Sequence, residues 1–138
     1  MSEEKLSCGI VLVRAAENGY QTLLLRAYHH WDFPKGLLEV GEEPMQTAKR
    51  ELREETSIDT TDWPWGERFL ETGPYSRGKT ARYYLASTEQ KDVVMGPSPE
   101  TGEPEHHEYR WVNFDEAYDL SSPRVREVVV WARQIIGT

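Results

Sequence analysis

The segment from Pro44 to Thr56 constrains the chain most, because it reads as a helix whose two sides need different surroundings. Proline suits a first helical turn, where its missing N–H would lack a partner anyway, and Met45 to Thr56 consists mostly of good helix formers. At about 100° per residue, Met45, Ala48 and Leu52 gather on one side, which should face a core. Glu51, Glu54 and Glu55 stand three and four residues apart on the side away from Arg53, within an arc of about 100°. Like charges at that spacing each disfavour a helix by roughly 0.2 to 0.5 kcal/mol. Nothing in the core pattern requires them. A solvated stripe would account for a bare E-x-x-E-E, but a divalent cation held by the carboxylates would also remove the repulsion. Magnesium suits such a ridge, since it takes oxygen ligands and bridges a few carboxylates to substrate phosphates.

Around this helix the chain is rich in strands. Ser7 to Arg14 and Gln21 to Ala27 are dense in Ile, Val and Leu, and the pair Asn18-Gly19 between them favours a turn, so they read as a hairpin. Trp31 to Gly36 is a short aromatic and proline segment, and Gly36 to Gly41 reads as a strand ending at a glycine turn. Gly66 to Tyr75 and Ala81 to Ser87 read as strands joined by the basic turn Ser76-Arg77-Gly78-Lys79. Met95 to Pro104 reads as a loop and Glu108 to Asn113 as a short strand. The chain closes on a helix, with Ser122 as N-cap, Pro123 first, and Val125, Val128, Val129, Ala132 and Ile136 at helical spacing. Several strands with two main helices far apart in sequence predict an α/β sandwich around a mixed sheet. A length of 138 residues accommodates one domain and one site.

Charge narrows the function. With 24 acidic against 16 basic residues, formal charge −8, the surface is not built to neutralise long nucleic acid through many phosphate contacts. A small polyanion remains compatible where metal ions invert the local field. Cys8 is the single cysteine, cannot form an internal disulfide, and reads as a small buried hydrophobe in a reducing cytoplasm. Met1 to Lys5 is acidic, the apolar run Ile10 to Val13 is too short for an export signal, and no stretch approaches the roughly 20 apolar residues that span a bilayer. A soluble protein without a membrane partner is expected.

The flanks of the acid ridge overturn the plain-stripe explanation. Gly36 and Glu42 precede it, Arg50-Glu51-Leu52 and Glu54-Glu55 form its centre, and Ile58 closes it. This arrangement resembles the Nudix pattern G-x(5)-E-x(7)-R-E-U-x-E-E-x-G-U, where U is a bulky apolar residue. Only the last glycine departs, being Ser57, and a non-glycine residue in a left-handed conformation costs roughly 1 to 2 kcal/mol. The resemblance implies one Nudix domain over residues 1–138, an α/β/α sandwich with a central mixed sheet. It further implies magnesium, with manganese able to substitute, held by Glu51, Glu54 and Glu55, which bind the diphosphate and activate water. The main-chain carbonyl of Lys35 or Gly36 would join them, while Gly36, Glu42 and Arg50 would orient the loop and helix. Many Nudix enzymes supply another glutamate six residues before a tryptophan near the last strand. Glu105 stands so before Trp111 and is expected as a ligand or base.

Substrate choice is read outside this pattern. Trp31-Asp32-Phe33-Pro34-Lys35-Gly36 resembles the W-x-F-P-K-G segment of asymmetric diadenosine tetraphosphate hydrolases, and Tyr75, Lys79 and Tyr83-Tyr84-Leu85-Ala86 resemble their tyrosine, phosphate-binding lysine and aromatic strand. A lysine ammonium meets phosphate as a point charge, and a tyrosine ring can stack on a base. Alternation along a strand sends Tyr83 and Tyr84 to opposite sides, so at most one should line the site. His30, beside the same segment, is a candidate phosphate contact, and His106 and His107 are weaker ones. The resemblance thus implies hydrolysis of diadenosine tetraphosphate to ATP and AMP, with a small nucleoside polyphosphate as the partner. The rivals are an RNA 5′-pyrophosphohydrolase, a diphosphoinositol phosphatase needing a denser basic pocket, and a catalytically silent nucleotide-binding module.

Overall fold

The computed structural model describes residues 5–98 and 101–137. Its elements run β1 (Lys5–Ala16), β2 (Gly19–Ala27), β3 (His30–Asp32), β4 (Lys35–Leu37), α1 (Pro44–Thr56), β5 (Phe69–Tyr75), β6 (Lys79–Ser87), β7 (Glu108–Val112), α2 (Phe114–Leu120) and α3 (Pro123–Ile136). The strands form one mixed sheet in the order β3-β2-β1-β6-β5, with β4 paired to β1 and β7 to β2. Among the strand pairs of the described residues only β1 and β6 run parallel, in register from Lys5 opposite Lys79 to Val13 opposite Ser87.

Alternation along the central strands makes two cores. Val11 and Val13 of β1 and Ala81, Tyr83 and Leu85 of β6 face one way, onto Phe114 and Ala117 of α2 and Val125, Val128, Val129 and Ala132 of α3. Cys8, Ile10 and Leu12 of β1 with Tyr84 and Ala86 of β6 face the other way, onto Ala48 and Leu52 of α1. A central sheet with both faces apolar requires cover on both, and the result is the expected α/β/α sandwich. Burial pushes the Cys8 thiol up to about 11, so it packs as an inert hydrophobe. No helix among the described residues is long and apolar enough to cross a membrane.

The differences from the sequence reading are local. The hairpin turn falls on Glu17-Asn18, one position early, because Gly19 at φ 124° opens β2 opposite Ala16. The strand expected over Gly36 to Gly41 is confined to Lys35–Leu37, since β4 reaches only Ser7 to Gly9 of β1. Likewise β5 begins at Phe69 rather than Gly66. Two elements were not foreseen, the short strand β3 and the helix α2. The helix is seven residues long with only Phe114 and Ala117 buried, too brief for a periodic signal. Its start was nevertheless written in the sequence, for the Asn113 side chain accepts a hydrogen bond from the Glu116 N–H at 2.8 Å. Ser122 precedes α3 as expected but makes no side-chain capping bond, and Pro123 opens the helix. Glu100, within the expected Met95 to Pro104 loop, lies outside the described residues.

Candidate active site

One cleft of about 640 Å³ gathers most of the predicted chemistry. Its floor is built where α1 crosses β4. A Cβ on Gly36 would strike the Glu51 carboxylate, so glycine is required there for the helix acid to lie against the backbone of β4. The opposite wall is Gly96, Pro97 and Ser98, and Gly96 in turn lies against the Glu54 carbonyl too closely for any side chain.

Arg50 neutralises the ridge from within. Its guanidinium donates to Glu42 at 2.7 and 3.0 Å, to Glu51 at 2.8 Å, to Glu54 at 3.1 Å and to the Leu37 carbonyl at 3.2 Å. Glu42 also accepts from the Thr47 hydroxyl at 2.8 Å and from the Glu39 N–H at 3.1 Å. Hydrogen bonding from Arg50, then from Thr47, holds the Glu42 carboxyl down at about 2. The supporting pair thus ties the loop before α1 to its middle turn and leaves the remaining acids facing the cleft.

Glu55 is the most enclosed acid. Only 7% of it is exposed, its Oε1 lies 3.4 Å from His106 Nε2, and its Oε2 is buried without a hydrogen-bond partner among the described residues. Burial raises its pKa well above the ordinary value, and the charges of Glu51 and Glu105 raise it further. Burial also raises Glu51, against the opposing pull of Arg50. Ligand atoms of Glu55, Glu105 and His106 all lie within 4.8 Å of one another. An orphaned buried carboxylate oxygen facing further oxygen donors fits a divalent cation, which would satisfy the oxygen and offset the repulsion.

The cleft lining also includes Lys35 and Lys79. Lys35 Nζ is 3.8 Å from Asp32 and its charge bears on Glu55. The aromatic residues expected to hold a base are elsewhere. Tyr83 is fully buried, donates to Asp32 at 3.0 Å and accepts from Arg124 at 2.9 Å, so its ring offers no face to a ligand. Tyr84, 5% exposed, packs edge-on to Trp63 and Phe69 on the α1 side. The two do point to opposite sides of the sheet, but each is absorbed into a core. Tyr75 packs on the α3 side with the Arg124 guanidinium 4.1 Å over its ring, and His30 lies exposed at the start of β3, so neither lines the cleft.

Three features of the site go beyond the sequence reading. His106, expected only as a weak phosphate contact, points into the acid cluster beside Glu105. Asp32, Tyr83, Arg124 and Thr72 form a hydrogen-bonded group that braces the segment leading to Lys35 against α3. The third is the tether of the cleft wall. Ser57 does adopt the left-handed conformation, φ 64° and ψ 16°, and its hydroxyl donates to the Val94 carbonyl at 2.7 Å, while the Val94 N–H donates to Thr56 at 3.0 Å. The side chain that costs strain in this conformation is the one that ties the end of α1 to the 94–98 wall.

Comparison with known proteins agrees with this geometry. The NUDIX domain family matches residues 4–132. The chain is 35% identical over 127 residues, 83% of each protein, to the asymmetrical bis(5′-nucleosyl)-tetraphosphatase of Sus scrofa. It is 32% identical over 120 residues, 74% of this chain and 70% of the relative, to the RNA pyrophosphohydrolase of Azorhizobium caulinodans. In structure it resembles a binary complex of the C. elegans Ap4A hydrolase, with a TM-score of 0.76 and 25% identity over 97% of this chain and 99% of that one. A match across nearly the whole length, together with the folded ridge of acids behind Gly36, makes this chain a member of the Nudix family and one of its pyrophosphohydrolases.

Proposed function

We propose that residues 1–138 form one magnesium-dependent Nudix domain that hydrolyses a dinucleoside polyphosphate, diadenosine tetraphosphate to ATP and AMP. The observation that carries this reading is the placement of Lys35 and Lys79 in the same cleft as Glu51, Glu54, Glu55 and Glu105. Cations and acids so arranged suit a chain of phosphates lying across a metal site. The similarity to the Sus scrofa tetraphosphatase supports the choice of substrate class. The single buried Cys8 suits a reducing cytoplasm.

Glu51, Glu54, Glu55 and Glu105 would hold the cation, with manganese able to replace magnesium. When bound, the ion supplies positive charge against the phosphate oxygens and acidifies water. The chain's own residues supply the remainder. Lys35 and Lys79 grip phosphate oxygens as point charges and fix the register of the substrate. The proton of the attacking water passes to an acid of the cluster beside the cation site, where Glu105 stands within reach of Glu55. Arg50 keeps the ridge in place without entering the reaction.

A side-by-side rate panel of diadenosine tetraphosphate, 5′-triphosphorylated RNA and diphosphoinositols, run in isotopically labelled water, tests the reading. The expected products of the dinucleotide are ATP and AMP, with label in AMP. ADP as the main product overturns the asymmetric register, and rapid attack on RNA with the dinucleotide left intact moves the enzyme to the RNA-processing branch. Lys79→Ala should raise KM for the dinucleotide by about tenfold while kcat changes little, because the ammonium binds ground and transition states alike. A defect confined to kcat would make Lys79 a transition-state group instead.

A further inference from the structure

Among the ligand atoms in the cleft one is nitrogen, and its position is set by contacts on both sides of it. The His107 N–H donates to the Arg26 carbonyl at 2.8 Å, and the Tyr28 N–H donates to His107 Nδ1 at 3.2 Å. His107 is thereby held against β2, with its ring edge-on to Tyr28, and the neighbouring His106 is turned into the cleft instead.

The separation of His106 Nε2 and Glu55 Oε1, 3.4 Å, is the telling distance. A charge-assisted hydrogen bond between them would close to about 2.7 to 2.9 Å. Two ligands sharing one ion, each about 2.0 to 2.2 Å from it, stand roughly 3 to 3.5 Å apart. The second Glu55 oxygen is buried with no partner among the described residues, and Glu105 completes the group. The spacing suits an ion between the groups better than a proton.

We infer that His106 is a nitrogen ligand of the cation site, so that the site favours manganese over magnesium by more than its carboxylates alone would. Imidazole nitrogen binds the first-row transition metals, with manganese the weakest of that series, whereas magnesium takes oxygen and parts reluctantly with its waters. His106 therefore adds to manganese affinity and contributes little to magnesium affinity. The inference rests on the divalent-cation reading above, but it concerns binding of the metal alone and needs no substrate.

The test is titration of the metal-free protein with Mn2+ followed by electron paramagnetic resonance, and with Mg2+ by calorimetry, for the native chain, His106→Ala and His106→Gln. Circular dichroism checks that each variant is folded. Loss of the ligand should lower Mn2+ affinity by about tenfold or more in both variants, leave Mg2+ affinity within about twofold, and so collapse the ratio. Equal losses for both metals would refute the ligand and make His106 only a partner that orients Glu55, and no change for either metal would refute any role at the site. If the native chain binds neither metal, the cation reading itself fails and takes this inference with it. Should His106→Ala not fold, the same comparison stands on His106→Gln, which keeps a polar side chain of similar reach.

Discussion

Glu55→Gln is expected to cut turnover by at least about a hundredfold, the lower range for losing a positioned catalytic group, and to raise the melting temperature of the metal-free protein. The two effects have one cause. Glu55 is buried beside Glu51 and Glu105, and these surroundings hold its folded-state pKa well above the ordinary 4.5. The folded state therefore binds the proton more tightly than the unfolded chain does. Below pH 4.5 the group is neutral in both states and costs nothing, and as pH rises beyond that value the unfolded chain ionises first and stability declines until the folded-state pKa is passed. At neutral pH, without metal, the carboxylate is a liability that glutamine removes. Glu54→Gln should lose activity to a similar degree without gaining stability, because Glu54 is one-third exposed and accepts from Arg50 at 3.1 Å. Near-native turnover in both variants would sink the helix site. A lower melting temperature for Glu55→Gln would mean that the carboxylate makes a stabilising contact in the metal-free protein.

Arg50→Met should destabilise the protein by about 2 to 4 kcal/mol at neutral pH, a range reduced from that of a fully buried ion pair because Glu54 is partly open to solvent. The guanidinium side chain is 17% exposed and serves Glu42, Glu51 and Glu54 together with the Leu37 carbonyl. Methionine leaves three acids without their shared counter-charge. Glu42 gives the pH dependence its sign. Its folded-state pKa is depressed to about 2, so its stabilising contribution is present above the ordinary 4.5 and is lost as pH falls toward 2. The gap between native and variant should accordingly narrow in urea titrations at pH 3 compared with pH 7. Millimolar Mg2+ should restore part of the loss at neutral pH by supplying positive charge to the same ridge. A variant as stable as the native chain at pH 7 would show that the acids are adequately screened by solvent.

The first helix and its acids are legible in the sequence, because their relations are set by 3.6 residues per turn. Whatever the rest of the chain does, Glu51, Glu54 and Glu55 share one ridge and Ala48 and Leu52 another. The same local rule placed the alternating residues of β1 and β6 on two faces and set Tyr83 and Tyr84 apart. Periodicity, however, orients a side chain only relative to its own element. Whether Tyr84 would meet a ligand or Trp63 and Phe69 depended on what covered that face of the sheet, and the covering residues lie far away in sequence.

His106 shows the limit most clearly. It stands far along the chain from Glu55, and the two meet because β7 pairs with β2 while α1 packs across β1 and β4. Ser57 is similar: its left-handed turn was foreseeable from the position it occupies, but its partner, the Val94 carbonyl, was not. Local spacing thus determined which acids share a ridge and which way each residue faces on its own helix or strand. Strand pairing and sheet cover, which depend on burial summed over the whole chain, decided which of those residues share a cleft and which are enclosed in the core.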